Sequence, residues 1–167
     1  MPTTRPENSR NSFNNNGALL DEVNRRLLTE LQANPRIGMS ALARRVGMSA
    51  PAVTDRVQRL ERAGIVAGYR VEIDPAALGY PIAAYVRIRP APGQLPKIAA
   101  LAAESPQVSE CHRITGEDCF LLKVHVPAVD QLEELLDAFL LHGQTTTSIV
   151  QSSPVPPRSL PLEAPPG

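Results

Sequence analysis

Apolar residues recur along this chain with two periods, and the period switches once. From Asp21 onward they return every three or four positions, the spacing that gathers side chains on one helical face. Val23, Leu27, Leu28 and Leu31 form the first stripe, opened by Asp21 as N-cap and stopped by Asn34-Pro35. After a connecting loop from Pro35 to Met39, Leu42 and Val46 sit four apart with Ala43 beside them. A second, short helix is expected there, with Ser40 as its cap. Gly47 suits the left-handed position that ends a helix. Ser49 then caps a third helix, and Pro51 lies in its first turn, where a missing N–H costs nothing. Val53, Val57, Leu60 and Gly64 are its inward stripe. The pattern predicts a three-helix unit over about 20–65.

Beyond Gly64 the period shortens. Ile65-Val66 and Tyr69 to Ile73 read as short extended segments, a wing or hinge strand within a linker over 66–79, closed by Asp74-Pro75. From Tyr80 the period is two: Ile82, Ala84, Val86 and Ile88 alternate with Tyr85, Arg87 and Arg89, as in a half-buried strand. A turn at Pro90 to Gly93 leads to an Ala/Leu-rich helix over 94–104. Val108 to Ile114 and Cys119 to Val126 are two more strands, joined by a turn at Thr115 to Asp118. Pro127 starts a helix with Val129, Leu132, Leu135, Leu136 and Phe139 on one face, and Thr145 to Val150 is a last strand. The order is βαββαβ over 80–152. The expected fold class is α+β, an N-terminal winged helix-turn-helix followed by a ferredoxin-like domain. The flanks lack periodicity. Residues 1–19, with five Asn and two Pro in the first seventeen, are expected to be a disordered tail, and 153–167 a Pro-rich one.

Charge changes the picture more than composition does. The 167 residues carry a net charge of zero. Yet residues 21–70 hold nine Arg against five acids, and residues 71–167 hold six basic residues against eleven acidic ones. The basic front half is where a polyanion would dock, with an affinity that falls with salt. The acidic rear half argues against DNA wrapping the whole protein. The two cysteines, Cys111 and Cys119, form no CxxC pattern and flank one hairpin; free thiols are expected. No long apolar stretch or signal-like segment appears, so the expected setting is cytoplasmic, with no membrane contact. No P-loop or GxGxxG occurs, and no cofactor is expected.

The segment from Ser40 to Gly64 carries the clearest chemistry. Two amphipathic helices separated by Gly47-Met48-Ser49 are what a helix-turn-helix needs to seat its second helix in the DNA major groove. The outward side chains are Ala50, Pro51, Thr54, Asp55, Gln58, Arg59 and Arg62, with Arg44 and Arg45 on the preceding helix and Ser49 in the turn. Small residues at the start permit close entry, Thr54 and Gln58 are candidates for base edges, and the arginines for phosphates or guanine. A polar helical hairpin in a bundle is the plainer alternative, against which the paired serines and the turn glycine weigh.

Several landmarks together resemble one family. They are Ser49-Ala50-Pro51-Ala52-Val53 opening the third helix, Gly64-Ile65-Val66-Ala67-Gly68-Tyr69, Asp74-Pro75, Leu78-Gly79, and Ile114-Thr115-Gly116 before the third strand. Over about residues 20–155 the chain resembles the leucine-responsive/asparagine (Lrp/AsnC) transcription factors. The resemblance implies a DNA-binding regulator that works as a homodimer or larger homo-oligomer on double-stranded DNA. It implies that the second domain, called RAM, mediates dimerisation and senses a small molecule, usually an amino acid. The implied effector site lies at Gly116, Glu117 and Asp118, with Thr145, Thr146, Thr147 and Ser148 nearby. Where the family commonly has an acidic residue directly before the aromatic of the third strand, this chain has Cys119 before Phe120, with Asp118 one place earlier.

The turn at 116–118 has a physical case of its own. Gly116 permits close backbone approach, turn amides hold a carboxylate, and Glu117 and Asp118 suit an ammonium; an ordinary hairpin turn has the same composition. A competing reading is an enzyme: some tetrapyrrole-pathway decarboxylases share this two-domain plan, and His112 and His125, on adjacent expected strands, would be its candidates. The arginine-rich helix argues against it. A third reading is a sensing module that regulates another protein and binds no DNA.

Overall fold

In the computed structural model, which describes residues 19–162, the helical period becomes α1 (Glu22–Ala33), α2 (Met39–Val46) and α3 (Ala50–Arg62). Asp21 caps α1 by accepting a hydrogen bond from the Asn24 N–H at 2.7 Å. Gly47 ends α2 at φ +72°, where a residue with a Cβ would be strained. The Ser49 side chain caps α3 through the Ala52 N–H, with Pro51 in the first turn. The stripes meet in one core: Leu27, Leu42 and Val53 are wholly withdrawn from water, packed with Leu31, Ile37, Ala43, Val46 and Val57. Burying one such aliphatic side chain is worth roughly 1.5–3 kcal/mol.

Three expectations in this unit are corrected. Ser40 does not cap α2; the helix starts two residues earlier, at Met39, with Gly38 as N-cap and no side-chain cap. Ile37 and Leu42 flank that start and both lie in the core, so an apolar staple fixes the entry in place of a hydroxyl. Gly64 is exposed rather than inward: α3 ends at Arg62, and Gly64 at φ +70° turns the chain out of helical register. Ile65 to Ile73 forms no strand; the segment is irregular, without a ladder partner among the described residues.

The chain divides into two units, one of residues up to Val71 joined by the segment from Pro157, the other Glu72–Pro156. The expected tail 1–19 lies outside the described residues except for Leu19, as do the last five residues of the expected Pro-rich tail; 153–162 has no helix or strand.

In the second unit a 3-10 turn at Ala76–Leu78 precedes β1 (Ile82–Pro90), α4 (Leu95–Glu104), β2 (Val108–Arg113), β3 (Phe120–Val126), α5 (Val129–Leu140) and β4 (Gly143–Ile149). The four strands form one antiparallel sheet in the order β2-β3-β1-β4. That order is the ferredoxin-like plan the period-two pattern predicts. Ala84, Val86 and Ile88 of β1 and Phe120, Leu122, Val124 and Val126 of β3 point to one face, where Ile98 and Ala102 of α4 and Leu132, Leu135 and Phe139 of α5 cover them. Val129, expected on that apolar face, is half exposed at the first position of α5. Tyr85, Arg87 and Arg89 point to the other face, away from α4 and α5. Gly143 starts β4 against Pro90, and a Cβ there would sit 2.3 Å from the Arg89 carbonyl oxygen. Close backbone approach therefore fixes the glycine.

Phe120 is almost fully buried under both helices. Phe120→Ala should lower stability by about 3–5 kcal/mol, read by urea unfolding followed by circular dichroism. The exposed Leu141→Ala should change it by less than about 0.5 kcal/mol.

Candidate nucleic-acid interface and effector site

With Val53, Val57 and Leu60 turned into the core, the opposite face of α3 is set. Ser49, Pro51, Asp55, Gln58, Arg59 and Arg62 are exposed, whereas Ala50 and Thr54 are half buried. Ala50 packs partly on the core. The Thr54 hydroxyl donates to the Ala50 carbonyl at 2.9 Å, so its proton is engaged and it meets an incoming group as an acceptor.

The arginines fall into two groups. Arg44 and Arg62 are exposed and without an ion pair among the described residues. The other three are engaged. Arg59 pairs with Asp55 one turn back on the same outer face. Arg45 pairs with Glu30 of α1, and Arg26 donates to the Arg45 carbonyl at 3.2 Å. Arg56 reaches back to α1, donating to Asp21 at 2.7 Å and to Asn24 Oδ1 at 3.0 Å. Exposed ion pairs are worth about 0–1 kcal/mol, so Arg59 is readily released to a phosphate.

In the sheet unit, pairing places the expected effector residues. The turn 114–119 follows β2, closed by the Ile114 N–H on the Cys119 carbonyl; Gly116 takes φ +107°. Glu117 and Asp118 lie against β1: Arg89 pairs with Glu117, Arg89 Nε stands 3.9 Å from Asp118 and Arg87 Nε 3.8 Å from it. Thr145 to Ser148 does not act as one group, because β4 alternates. Thr146 lies opposite Arg87 and Ser148 opposite Tyr85, both on the open face, while Thr145 and Thr147 oppose Ile88 and Val86 and turn toward the helices. The open face thus brings together Glu117, Asp118 and Thr146 with two arginines that the sequence reading left out of the site. Their signal was present, since both occupy polar positions of an alternating strand, but register alone shows that the turn reaches them.

His112 and His125 do not come together. His112 pairs with Leu121, four residues along β3 from His125, a separation of about 13 Å. His112 is exposed, with Nε2 3.3 Å from Glu110, and its hydrogen bond holds the Glu110 carboxyl below the usual range, against some opposing burial. Burial, with Lys123 nearby, pushes the His125 imidazole down. Cys111 and Cys119 are free thiols. Among the described residues no cluster of His, Cys, Asp and Glu is arranged to hold a metal, and no helix is long and apolar enough to cross a membrane.

Comparison with known proteins follows the same division. Residues 20–61 match the AsnC-type helix-turn-helix domain, and residues 83–160 match the Lrp/AsnC ligand binding domain. The HTH-type transcriptional regulator LrpA of Mycobacterium tuberculosis is 40% identical over 118 residues, 70% of this chain and 79% of that protein. The leucine-responsive regulatory protein of Salmonella typhimurium is 35% identical over 128 residues, 75% of this chain and 78% of that protein. Among solved structures, the feast or famine regulatory protein from M. tuberculosis complexed with L-methionine superposes with a TM-score of 0.78 at 34% identity, covering 85% of this chain and 99% of that one.

The Arg56 hydrogen bond, helped by the Asn24 N–H, holds the Asp21 carboxyl below its ordinary value of 3.8. Its folded value lies below its unfolded one. The stability it contributes is therefore complete above the ordinary value and is lost as pH falls through the lowered one. In Asp21→Asn, which retains a capping side chain, that part of the acid limb should vanish. Thermal melts from pH 2 to 6 should show the wild-type advantage closing as pH drops; an unchanged acid limb contradicts the assignment.

Proposed function

For this member of the Lrp/AsnC family of transcriptional regulators, we propose that α3 reads the major groove and that the ion cluster on the open sheet face binds an amino acid, which shifts the affinity for DNA. The observation that carries the first part is the outer face of α3: small residues at its start, Gln58 and Thr54 along it, and Arg62 at its end, with Arg44 on α2, neither arginine in an ion pair among the described residues. The exposed Gln58 and arginines suit base edges, and the arginines without an ion pair suit phosphates. Double-stranded DNA is the partner, and the cytoplasm the setting.

The second part rests on chemistry. A free amino acid is a zwitterion, and the cluster offers two guanidiniums beside two carboxylates. The ligand's carboxylate would exchange onto Arg87 or Arg89 and its ammonium onto Glu117 or Asp118. Those pairs are half exposed, so breaking them costs little. Thr146 adds a hydroxyl opposite Arg87. The protein complexed with L-methionine makes that amino acid a first ligand to try. A second copy would cover the open face: Tyr85 is 41% exposed there, and Tyr69, Val71 and Ile73 are exposed in the irregular connector. A homodimer or larger homo-oligomer would space two recognition helices for two half-sites. Its relatives being transcriptional regulators, the separated histidines carry no catalytic role in this reading.

DNA selected by the wild-type protein from a random pool, bound at rising salt, tests the first part. Arg62→Ala should flatten the plot of log affinity against log salt by about 0.9. Asp55→Asn, which frees Arg59 and removes a negative charge, should tighten binding and steepen that plot. Identical plots for all three proteins would refute the docking face.

For the second part, the twenty amino acids are screened by thermal shift. A binding amino acid present at a hundred times its Kd should stabilise by about 2.7 kcal/mol. Its N-acetyl and amide derivatives should not, and Asp118→Asn or Arg87→Ala should abolish the shift. A shift that survives both variants would place the ligand elsewhere.

A further inference from the structure

We propose that Arg56 is a positioning residue that sets the angle of α3 by clamping it to the first turn of α1, and that it makes no contact with DNA. The proposal rests on the reading of α3 as the groove-entering helix. Arg56 stands apart from the other arginines of α3. Its side chain is 28% exposed, against 57% for Arg59. Its Nη1 donates to Asp21 Oδ2 at 2.7 Å and to Asn24 Oδ1 at 3.0 Å, residues 35 and 32 positions earlier.

Both acceptors are themselves fixed. Asp21 uses its other oxygen to cap α1, accepting from the Asn24 N–H at 2.7 Å. Asn24 is 5% exposed, the only buried polar residue among those described, and its Nδ2 donates to the Leu19 carbonyl at 2.7 Å. That bond fixes the amide's orientation and leaves Oδ1 aimed at Arg56. Without the guanidinium, a nearly buried acceptor loses its partner, a state folded proteins avoid. The clamp therefore has a defined geometry, with two held acceptors at the start of one helix sharing a single guanidinium nitrogen, Nη1, of the other.

The lever arm makes this matter. Arg56 lies six residues from Ala50, about 9 Å along the helix, so a tilt of about 10° there moves the leading turn by about 1.6 Å. A displacement of that size breaks a base-edge hydrogen bond but leaves flexible arginines in reach of phosphates. Loss of the clamp should thus reduce discrimination between sequences and spare the salt-dependent part of binding. With its charge matched by Asp21, Arg56 also differs from the unpaired Arg44 and Arg62.

The test uses the full chain and a duplex selected by the wild-type protein from random-sequence DNA, with unrelated duplex as comparison. Arg56→Gln should weaken the selected duplex about ten-fold or more, leave the unrelated duplex within about two-fold, and leave the salt slope unchanged. Arg56→Lys, which keeps the charge on a shorter side chain with a different donor geometry, should fall between. A slope flatter by about 0.9, with both duplexes weakened equally, would make Arg56 a phosphate contact and overturn the proposal, as would unchanged affinity. A DNA-free readout stands beside these. Backbone residual dipolar couplings of α1 and α3 in Arg56→Gln should no longer fit the wild-type interhelical angle; couplings that still fit overturn the clamp. Should the wild-type protein select no DNA at all, the groove reading fails, and the couplings alone decide the clamp.

Discussion

One apolar stripe governs the front of this molecule. Val53 and Val57 pack out of water with residues of α1 and α2, and Leu60 is fully buried on the same stripe, and on a rigid helix that choice leaves no freedom about the rest. Asp55, Gln58, Arg59 and Arg62 must face outward. The same seating brings Arg56 beside Asp21 and Asn24. Hydrophobic burial is not directional, but once it fixes the rotation of a helix it determines where every polar group on that helix goes. The face proposed for a duplex is the remainder of a packing decision, and the ion pairs across it are weak enough to be exchanged.

The sheet applies the same logic with a different period. β1 is central, and its alternation sends Ala84, Val86 and Ile88 to the helices and Tyr85, Arg87 and Arg89 to the open side. The turn before β3 then meets those arginines with two carboxylates. Cations and anions in one shallow cluster are mutually satisfied while it is empty and can be re-paired by a ligand carrying both signs. A cluster of one sign would have to be neutralised from solvent.

Period was legible in the sequence and partnership was not. The Asp21 and Ser49 caps, the two-residue alternation of β1 and β3 and the βαββαβ order all depend on local stereochemistry, and local stereochemistry is written in neighbouring residues. The start of α2 misled because Ser40 is a sound cap in isolation, whereas Ile37 and Leu42 anchor that start in a core built from three helices. Tyr69 to Ile73 has strand character without a strand to pair with among the described residues. Thr145 to Ser148 read as one cluster until the register with β1 split it between two faces. Arg87, Arg89 and Arg56 took their significance from residues 28 to 35 positions away, a distance over which periodicity says nothing.

The strand order has a further consequence in time. In the helical unit α1, α2 and α3 pack on immediate neighbours, so its contacts close short loops and cost little chain entropy. In the sheet the first strand lies in the middle and its two partners are the third and the last. It cannot be hydrogen-bonded on both edges until Gly143–Ile149 exists. During synthesis the three helices therefore precede the sheet, whereas the segment from Pro157, which belongs to their unit, follows it. Until β4 is made, β1, with its Ala84-Val86-Ile88 row, is an apolar strand with one edge open, the kind of edge that templates pairing with other strands.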